Sequence, residues 1–255
     1  MLPVIIPTYK NKGLLDLCLQ ALEKSTIPVY PVVIDNSEDN LGFTKGMNEG
    51  IKKVDSDYYI LLNDDTEVFP DCIAKLYEAV RMDESIGIMG SCPVESSIWP
   101  YKRHGSVIAD LLGGHTLIAH DNAPYLLSTY AVQFHCVLIT KELIQAIGLL
   151  DESFFNFCSD TDYCLRAKMA NFRVCYRNDA MLIHRGNKTV ERVESTLTQD
   201  QRYFVYKWFG AGLNRILENI PIDKMAGLKA KMQLILDGEP QGIEKFKKKF
   251  GLEDK

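Results

Sequence analysis

Apolar positions along this chain fall into short unbroken runs, separated by stretches in which they recur every three or four residues. Leu2 to Ile6 is the first run, closed by Pro7-Thr8-Tyr9, and it predicts a strand. Between Gly13 and Lys24, Leu15, Cys18, Leu19 and Leu22 are spaced i, i+3, i+4, i+7, the stripe of an amphipathic helix. Val29 to Ile34 predicts a second strand, ending in Asp35. Met47, Ile51 and Val54 then mark a helix in which Gly42, Gly46 and Gly50 recur every fourth residue and allow close approach of backbone or ligand. Tyr58 to Leu62 is apolar throughout, as suits a central strand covered on both faces, where alternation is not required. Pro70 predicts the start of a helix with Ile73, Leu76, Tyr77 and Val80 inward, and Ile86 to Met89 a further strand. Strand alternating with helix through residue 90 predicts an α/β fold with a mainly parallel central sheet covered by helices.

Residues 91–130 break the rhythm. Prolines, Trp99, His104, His115, His120 and a hairpin about Gly113-Gly114 predict an irregular insertion over the sheet edge, and such long loops are often lids or binding loops. Ala131 to Ile139 returns as a strand, Thr140 caps a helix to Ile147, and Gly148 ends it. Ser159 and Asp162 have the S-x-x-D spacing of a capping box. Asp160 then lies in the first turn of that helix, where the macrodipole favours its ionised form and a cleft carboxylate can serve as a general base. Phe172 to Tyr176 and Met181 to Ile183 predict short strands, the second ending in His184. Beyond Ser195 the chain reads as helical, with Tyr203, Phe204, Trp208 and Phe209 packing inward. Ile243 to Phe250 is a small basic amphipathic helix, a solvated terminal element with peripheral membrane contact as its alternative use.

At 255 residues and 46% hydrophobic content the chain suits one large domain with an appendage. A formal charge of -5 argues against broad nucleic-acid binding, which needs a concentrated basic surface. No apolar run reaches the roughly 20 residues of a membrane span, and the opening residues lack the charged start of a signal peptide. A cytoplasmic protein is therefore expected. The seven cysteines are odd in number and scattered, which fits reduced thiols. Cys158, Cys164, Cys175 and His184 match no standard zinc spacing.

Candidate chemistry gathers where the third strand ends, in Asn63-Asp64-Asp65-Thr66-Glu67. In open α/β sheets ligands sit outside the carboxyl ends of the strands, and Asp35 ends another strand of the same set. Neighbouring acids repel unless a cation or proton intervenes. A hard divalent ion shared with a phosphate-bearing ligand explains the cluster economically. A turn in which the Asp and Asn side chains bond their own backbone explains it too. No G-x-G-x-x-G follows the first strand and there is no Walker A sequence, which disfavours a dinucleotide fold.

Several ordered motifs together carry a family resemblance: Val4-Ile-Ile-Pro-Thr-Tyr9, Val33-Ile-Asp35-Asn-Ser37, Asn40-Leu-Gly-Phe43, Leu61-Leu-Asn-Asp-Asp-Thr-Glu-Val68, Gly148-Leu-Leu-Asp-Glu-Ser-Phe-Phe155 and Ser159-Asp-Thr-Asp-Tyr-Cys-Leu-Arg166. Over residues 3–210 the chain resembles the family 2 glycosyltransferases of the GT-A fold, particularly the rhamnosyltransferase-like branch. That resemblance implies a GT-A domain over 1–210, with a nucleotide-binding half at 1–90 and an acceptor half at 91–210, and a small helical C-terminal extension at 211–255. It favours the metal reading of the acids. Asp65 would bind Mn²⁺ or Mg²⁺, Asn63 would stand at the first position of the D-x-D motif near the ribose, and His184 would be a further metal or diphosphate contact. Pro7, Thr8, Tyr9, Asp35, Asn36, Gly42, Lys45, Asn48 and Asp64 would join Asn63 in holding the nucleotide sugar, Asp35 by accepting from the base. Asp160 falls where the family has its catalytic base.

The implied activity is inverting, metal-dependent transfer of a sugar from a UDP- or dTDP-linked donor to a hydroxyl of a glycan or glycolipid, as in polysaccharide biosynthesis. Two departures lie on the acceptor side: Ser159 stands where the family usually has an acid, and Cys136 where it usually has a small glycine. The alternatives are a catalytically weak relative that binds nucleotide or glycan, and a nucleotidyltransferase, for which Pro7 to Gly13 is a poor phosphate loop. A haloacid-dehalogenase-type phosphatase needs an aspartate where Asn63 stands.

Overall fold

The structure is a computed structural model and describes residues 1–94, 126–128, 131–185, 199–200, 203, 204 and 207. Its elements run β1 (Leu2–Thr8), α1 (Lys12–Leu22), β2 (Val29–Asp35), α2 (Gly42–Lys52), β3 (Tyr58–Leu62), β4 (Thr66–Val68), α3 (Cys72–Met82), β5 (Ile86–Val94), β6 (Leu126–Ser128), β7 (Cys136–Thr140), α4 (Lys141–Ile147), α5 (Ser159–Met169) and β8 (Arg173–His184). The strands form one sheet in the order β2-β1-β3-β7-β5-β8-β4, with β6 also paired to β8.

The α/β alternation is as expected, but the sheet is mixed rather than mainly parallel. It is parallel along β2-β1-β3 and between β5 and β8, whereas β7 runs antiparallel to both of its neighbours, β3 and β5. The two short strands expected near residues 172–183 are one long strand with register shifts in its pairing to β5. β4 was not foreseen: three residues pair antiparallel with the end of β8, Thr66 opposite His184.

Both faces of the sheet are covered, so β3 has no polar side. Ile60 and Leu62 point into a core with Cys18, Ala21 and Leu22 of α1 and Ile73, Leu76 and Val80 of α3. Tyr59 and Leu61 point into the opposite core, with Met47 and Ile51 of α2, Leu143 of α4, and Tyr163, Cys164 and Ala167 of α5. Alternation along β7 follows from the pleat: Val137 and Ile139 share the second core, while Cys136 and Leu138 share the first. Cys136 is therefore a core thiol hydrogen-bonded with Cys72 rather than a residue of the acceptor cleft. All seven cysteines are free and buried, as a reduced protein would have them.

The glycine repeat of α2 serves backbone approach. A Cβ at Gly46 would lie 2.8 Å from Pro7 Cβ and 2.9 Å from the Asn36 side-chain nitrogen, so only glycine lets the helix sit this close to β1. Thr140 caps α4 by accepting from Leu143 N at 3.2 Å, and Gly148 terminates it. Among the described residues no helix is long and apolar enough to cross a membrane. The insertion histidines, Trp208, Phe209, the basic terminal helix and the whole of 211–255 lie outside the described residues.

Candidate active site

Three adjacent strands, β2, β1 and β3, end side by side and present Asp35, Thr8 and Asn63 at one edge. Asp35 is exposed, and Ser37, through its hydroxyl and its backbone N–H at 2.9 Å, holds that carboxyl below the usual range. Asn36 is buried, donates its N–H to Thr8 O at 2.8 Å and leaves its Oδ1 without a partner among the described residues. Thr8 Oγ1 donates to Asp64 Oδ2 at 2.7 Å. Burial nevertheless raises the Asp64 pKa, with Asp65 adding repulsion. Pro7 is buried against α2, and Tyr9 is half-buried under the Lys10 ammonium.

The acids after β3 make a corner of strongly negative potential. Cys18 Sγ lies 3.7 Å from Asn63 O, and its thiol is pushed up to about 12 by burial and by the charges of Asp64, Asp65 and Glu67. The β4–β8 pairing brings His184 Nε2 to 3.2 Å from Asp65 Oδ1, without the alignment of a hydrogen bond. Asp65 Oδ1, Asn63 Oδ1 and Thr66 Oγ1 are all buried and lack a hydrogen-bond partner among the described residues. Buried oxygens left unsatisfied in this way cost about 1–3 kcal/mol each unless a ligand completes them. Among the described residues no group of three or more His, Cys, Asp or Glu side chains could hold a metal by itself. One carboxylate and one imidazole suit an ion whose other positions go to phosphate oxygens and water.

The turn Phe134–His135, just ahead of β7, links this corner to Asp160. His135 O accepts from Asn63 N at 3.0 Å, and the His135 ring stacks on His184 with centroids 3.9 Å apart. The adjacent Phe134 N–H bonds to the Asp160 carboxylate, which also accepts from Thr161 N at 2.7 Å. Burial overrides those hydrogen bonds and pushes the Asp160 pKa up to about 6. The first-turn position of Asp160 in α5 is as expected; the balance of forces on its charge is not, because lost hydration outweighs the helix end.

The expected capping box is absent. Cys158, left-handed at φ 62°, occupies the N-cap of α5, Ser159 is the first helical residue, and its buried Oγ has no hydrogen-bond partner among the described residues. Asp162 is fully buried and bonded to Arg166 Nε at 2.9 Å and to Lys207 Nζ at 2.7 Å, which claims it for packing.

Three further candidates lie on α2. Lys45 is exposed. Gly42 takes φ +72° against Phe155. Asn48 is buried and doubly bonded to Leu150, donating to its O at 2.8 Å and accepting from its N at 3.1 Å, and it also donates to Glu152 Oε1 at 3.0 Å. The N-terminal amides of α2 are filled by the same loop: Phe43 N donates to Asn156 Oδ1 and Thr44 N to Phe155 O.

A family model described as "Glycosyltransferase like family 2" matches residues 4–204, and the chain belongs to that family. A low-salt glycan biosynthesis hexosyltransferase of Haloferax volcanii is 26% identical over 178 residues, 63% of this chain and 54% of that protein. An uncharacterized protein of Sinorhizobium fredii is 27% identical over 180 residues, 63% of this chain and 19% of that protein. The chain thus spans about a fifth and about half of the lengths of these two relatives. Among solved structures, the mannosyltransferase PcManGT from Pyrobaculum calidifontis, in complex with GDP-Man and Mn²⁺, aligns at TM-score 0.62 and 13% identity, covering 93% of this chain and 74% of that one. S. aureus TarS 1-349 aligns at 0.51 and 13%, covering 92% and 80%. The fold is accordingly GT-A-like.

Proposed function

We propose that this chain is an inverting, metal-dependent glycosyltransferase of the rhamnosyltransferase-like branch, moving a sugar from a nucleoside-diphosphate donor to a hydroxyl of a glycan or glycolipid. The observation that carries the reading is the Phe134–His135 turn. It joins the acidic corner of Asn63, Asp65 and His184 to the carboxylate of Asp160 through direct contacts. A donor-side anion site and a base would thereby be held by one short turn, as a displacement with two partners requires.

Thr8, Asp35, Asn36 and Asn63 would hold the nucleotide at the shared strand edge, with the unsatisfied amide oxygens of Asn36 and Asn63 accepting from base and ribose. Asp65 and His184 would hold Mn²⁺ or Mg²⁺, which fits an orphaned carboxylate oxygen facing an imidazole nitrogen in a negative corner. A divalent ion there supplies positive charge to the departing diphosphate. Asp160 would accept the proton of the acceptor hydroxyl as that oxygen attacks the anomeric carbon opposite the leaving group, inverting the centre. Gly42 and Asn48 enter this scheme through the loop they hold, and Lys45 as an exposed cation at the rim. The Mn²⁺ and GDP-Man of PcManGT and the hexosyl transfer named for the Haloferax relative support the class of chemistry.

A thermal-shift panel of UDP, dTDP, GDP and CMP, each with and without Mn²⁺, tests the donor half. Ligand at a hundredfold excess over Kd contributes about 2.7 kcal/mol, and about 2–4 °C accompanies each kcal/mol at this size. A metal-dependent shift from one diphosphate, lost in a folded Asp65→Ala variant, is the expected result. A panel with no shift from any diphosphate refutes the reading. Ser159, standing next to Asp160 where the family usually has an acid, favours one second reading, a catalytically weak relative: binding would persist without turnover of any offered donor.

A further inference from the structure

The segment Phe155-Asn156-Phe157 reaches α5 through Cys158 and has no regular secondary structure of its own. Its three consecutive N–H groups converge on one carboxylate. Asp200 Oδ1 accepts from Phe155 N at 2.9 Å, and Asp200 Oδ2 accepts from Asn156 N at 2.9 Å and Phe157 N at 2.8 Å. Asp200 is 3% exposed, and burial raises its pKa against the pull of those three amides. The next residue, Cys158, holds the left-handed conformation that a side chain disfavours, and such strain survives only where the surroundings over-determine it. Two positions further on is Asp160.

The same stretch is held elsewhere too. Asn156 Oδ1 and Phe155 O cap the start of α2 on one side. On the other, Tyr203 Oη donates to Asp151 Oδ2 at 2.8 Å, Lys207 Nζ bridges Asp151 and Asp162 at 2.7 Å each, and Phe154 packs on the Tyr203 ring. These contacts anchor the ends of the loop and its side chains. The backbone amides that set its final direction are anchored by Asp200.

We propose that Asp200 is a positioning residue for the transfer reaction: by gathering the three amides it fixes the left-handed turn at Cys158, and with it the direction in which α5 delivers Asp160. The inference rests on the reading of Asp160 as the base. Asp200 itself touches neither donor nor acceptor in this scheme, so its loss acts on turnover and leaves donor binding alone.

The test uses the full chain with Asp200→Ala and the near-isosteric Asp200→Asn. Hydrogen exchange, measured without metal or nucleotide, reads protection of the amides at 155–157. Turnover is read as nucleoside diphosphate released from UDP-, dTDP- and GDP-linked hexoses with Mn²⁺, using water and alkyl glycosides as acceptors. Expected are faster exchange at those amides, kcat lowered at least tenfold in Asp200→Ala and less in Asp200→Asn, and the Mn²⁺-dependent Kd for the nucleoside diphosphate unchanged. Lys75→Met, which removes a contact with Asp179 on another part of the molecule, should lower Tm without lowering kcat. Wild-type kcat in folded Asp200→Asn with exchange increased overturns the inference, as does a rise in donor KM at constant kcat. Should Asp200→Ala not fold, Asp200→Asn decides alone. A wild-type chain that binds no diphosphate and consumes no donor refutes the underlying reading itself, which the parental controls reveal before any variant is compared.

Discussion

Asp160 is caught between opposed influences. The start of α5, the Thr161 and Phe134 amides and the Thr161 hydroxyl favour its charged form, and burial disfavours it more, so its pKa rises to about 6. A base of that strength is better matched to neutral pH than an exposed aspartate would be, since a higher pKa gives a stronger proton acceptor that is still ionised. Transfer should therefore follow the deprotonated fraction. kcat/KM is expected to fall about tenfold per pH unit below roughly pH 6 and to level off above it. Asp160→Asn should lower kcat by about 10²- to 10⁴-fold while leaving Mn²⁺-dependent nucleotide binding intact. A pH profile flat from 5 to 8, or near-normal transfer by the variant, would remove Asp160 from its role. The place of Asp160 in the first helical turn was legible from its motif, but the sign of its shift was not. Position in the first helical turn is a local property, whereas the burial that outweighs it arises only in the folded chain, where the Phe134 amide of the turn before β7 pulls the other way.

At the scale of elements, the loop from Leu149 to Phe157 is the joint between α2 and α5, and Asn48 ties it to α2. Asn48→Ala leaves both the N–H and the C=O of Leu150 without this partner, a loss of roughly 1–3 kcal/mol per buried group left unsatisfied. Tm should drop by several degrees, at about 2–4 °C per kcal/mol, while the folded variant keeps its affinity for nucleoside diphosphate. Unchanged Tm with lost affinity would return Asn48 to the donor pocket. The helices and the strands β1, β2 and β3 could be read from the sequence because each shows its pattern within a dozen residues, whereas β8 reads there as two strands. β4 could not: Thr66–Val68 is too short for a period, yet its pairing with β8 sets His184 beside Asp65. The antiparallel insertion of β7 between β3 and β5 is likewise a long-range choice. The S-x-x-D spacing at Ser159 misled because Asp162 is claimed by Lys207, 45 positions along the chain. Asp200 lies in an unremarkable polar stretch, and only the folded chain delivers three amides to it.

For the molecule as a whole, the raised Asp160 pKa carries a stability cost that can be separated from every other titration. The folded state holds this proton up to about pH 6, whereas the unfolded chain releases it near 3.8. Between those values the native state binds more protons than the unfolded one, so this group's contribution falls as pH rises and is fully lost above about 6. The difference of roughly two pKa units corresponds to about 3 kcal/mol. Asp64 and Asp200 are shifted in the same direction and Asp151 in the opposite one, so the stability curve of the wild-type chain mixes their contributions. Comparing Asp160→Asn with wild type cancels those shared terms. The variant should gain least near pH 4, where wild-type Asp160 is already neutral when folded, and most at pH 7–8, where it loses a partly desolvated charge. Urea unfolding of both proteins at pH 4, 5, 6, 7 and 8 measures that difference directly. A gain that grows to about 2–3 kcal/mol alongside lost turnover would mean that the site keeps a destabilising carboxylate because transfer needs it. A difference that is constant with pH would mean that Asp160 is not desolvated in the folded protein, and its assignment as a tuned base would fall with that.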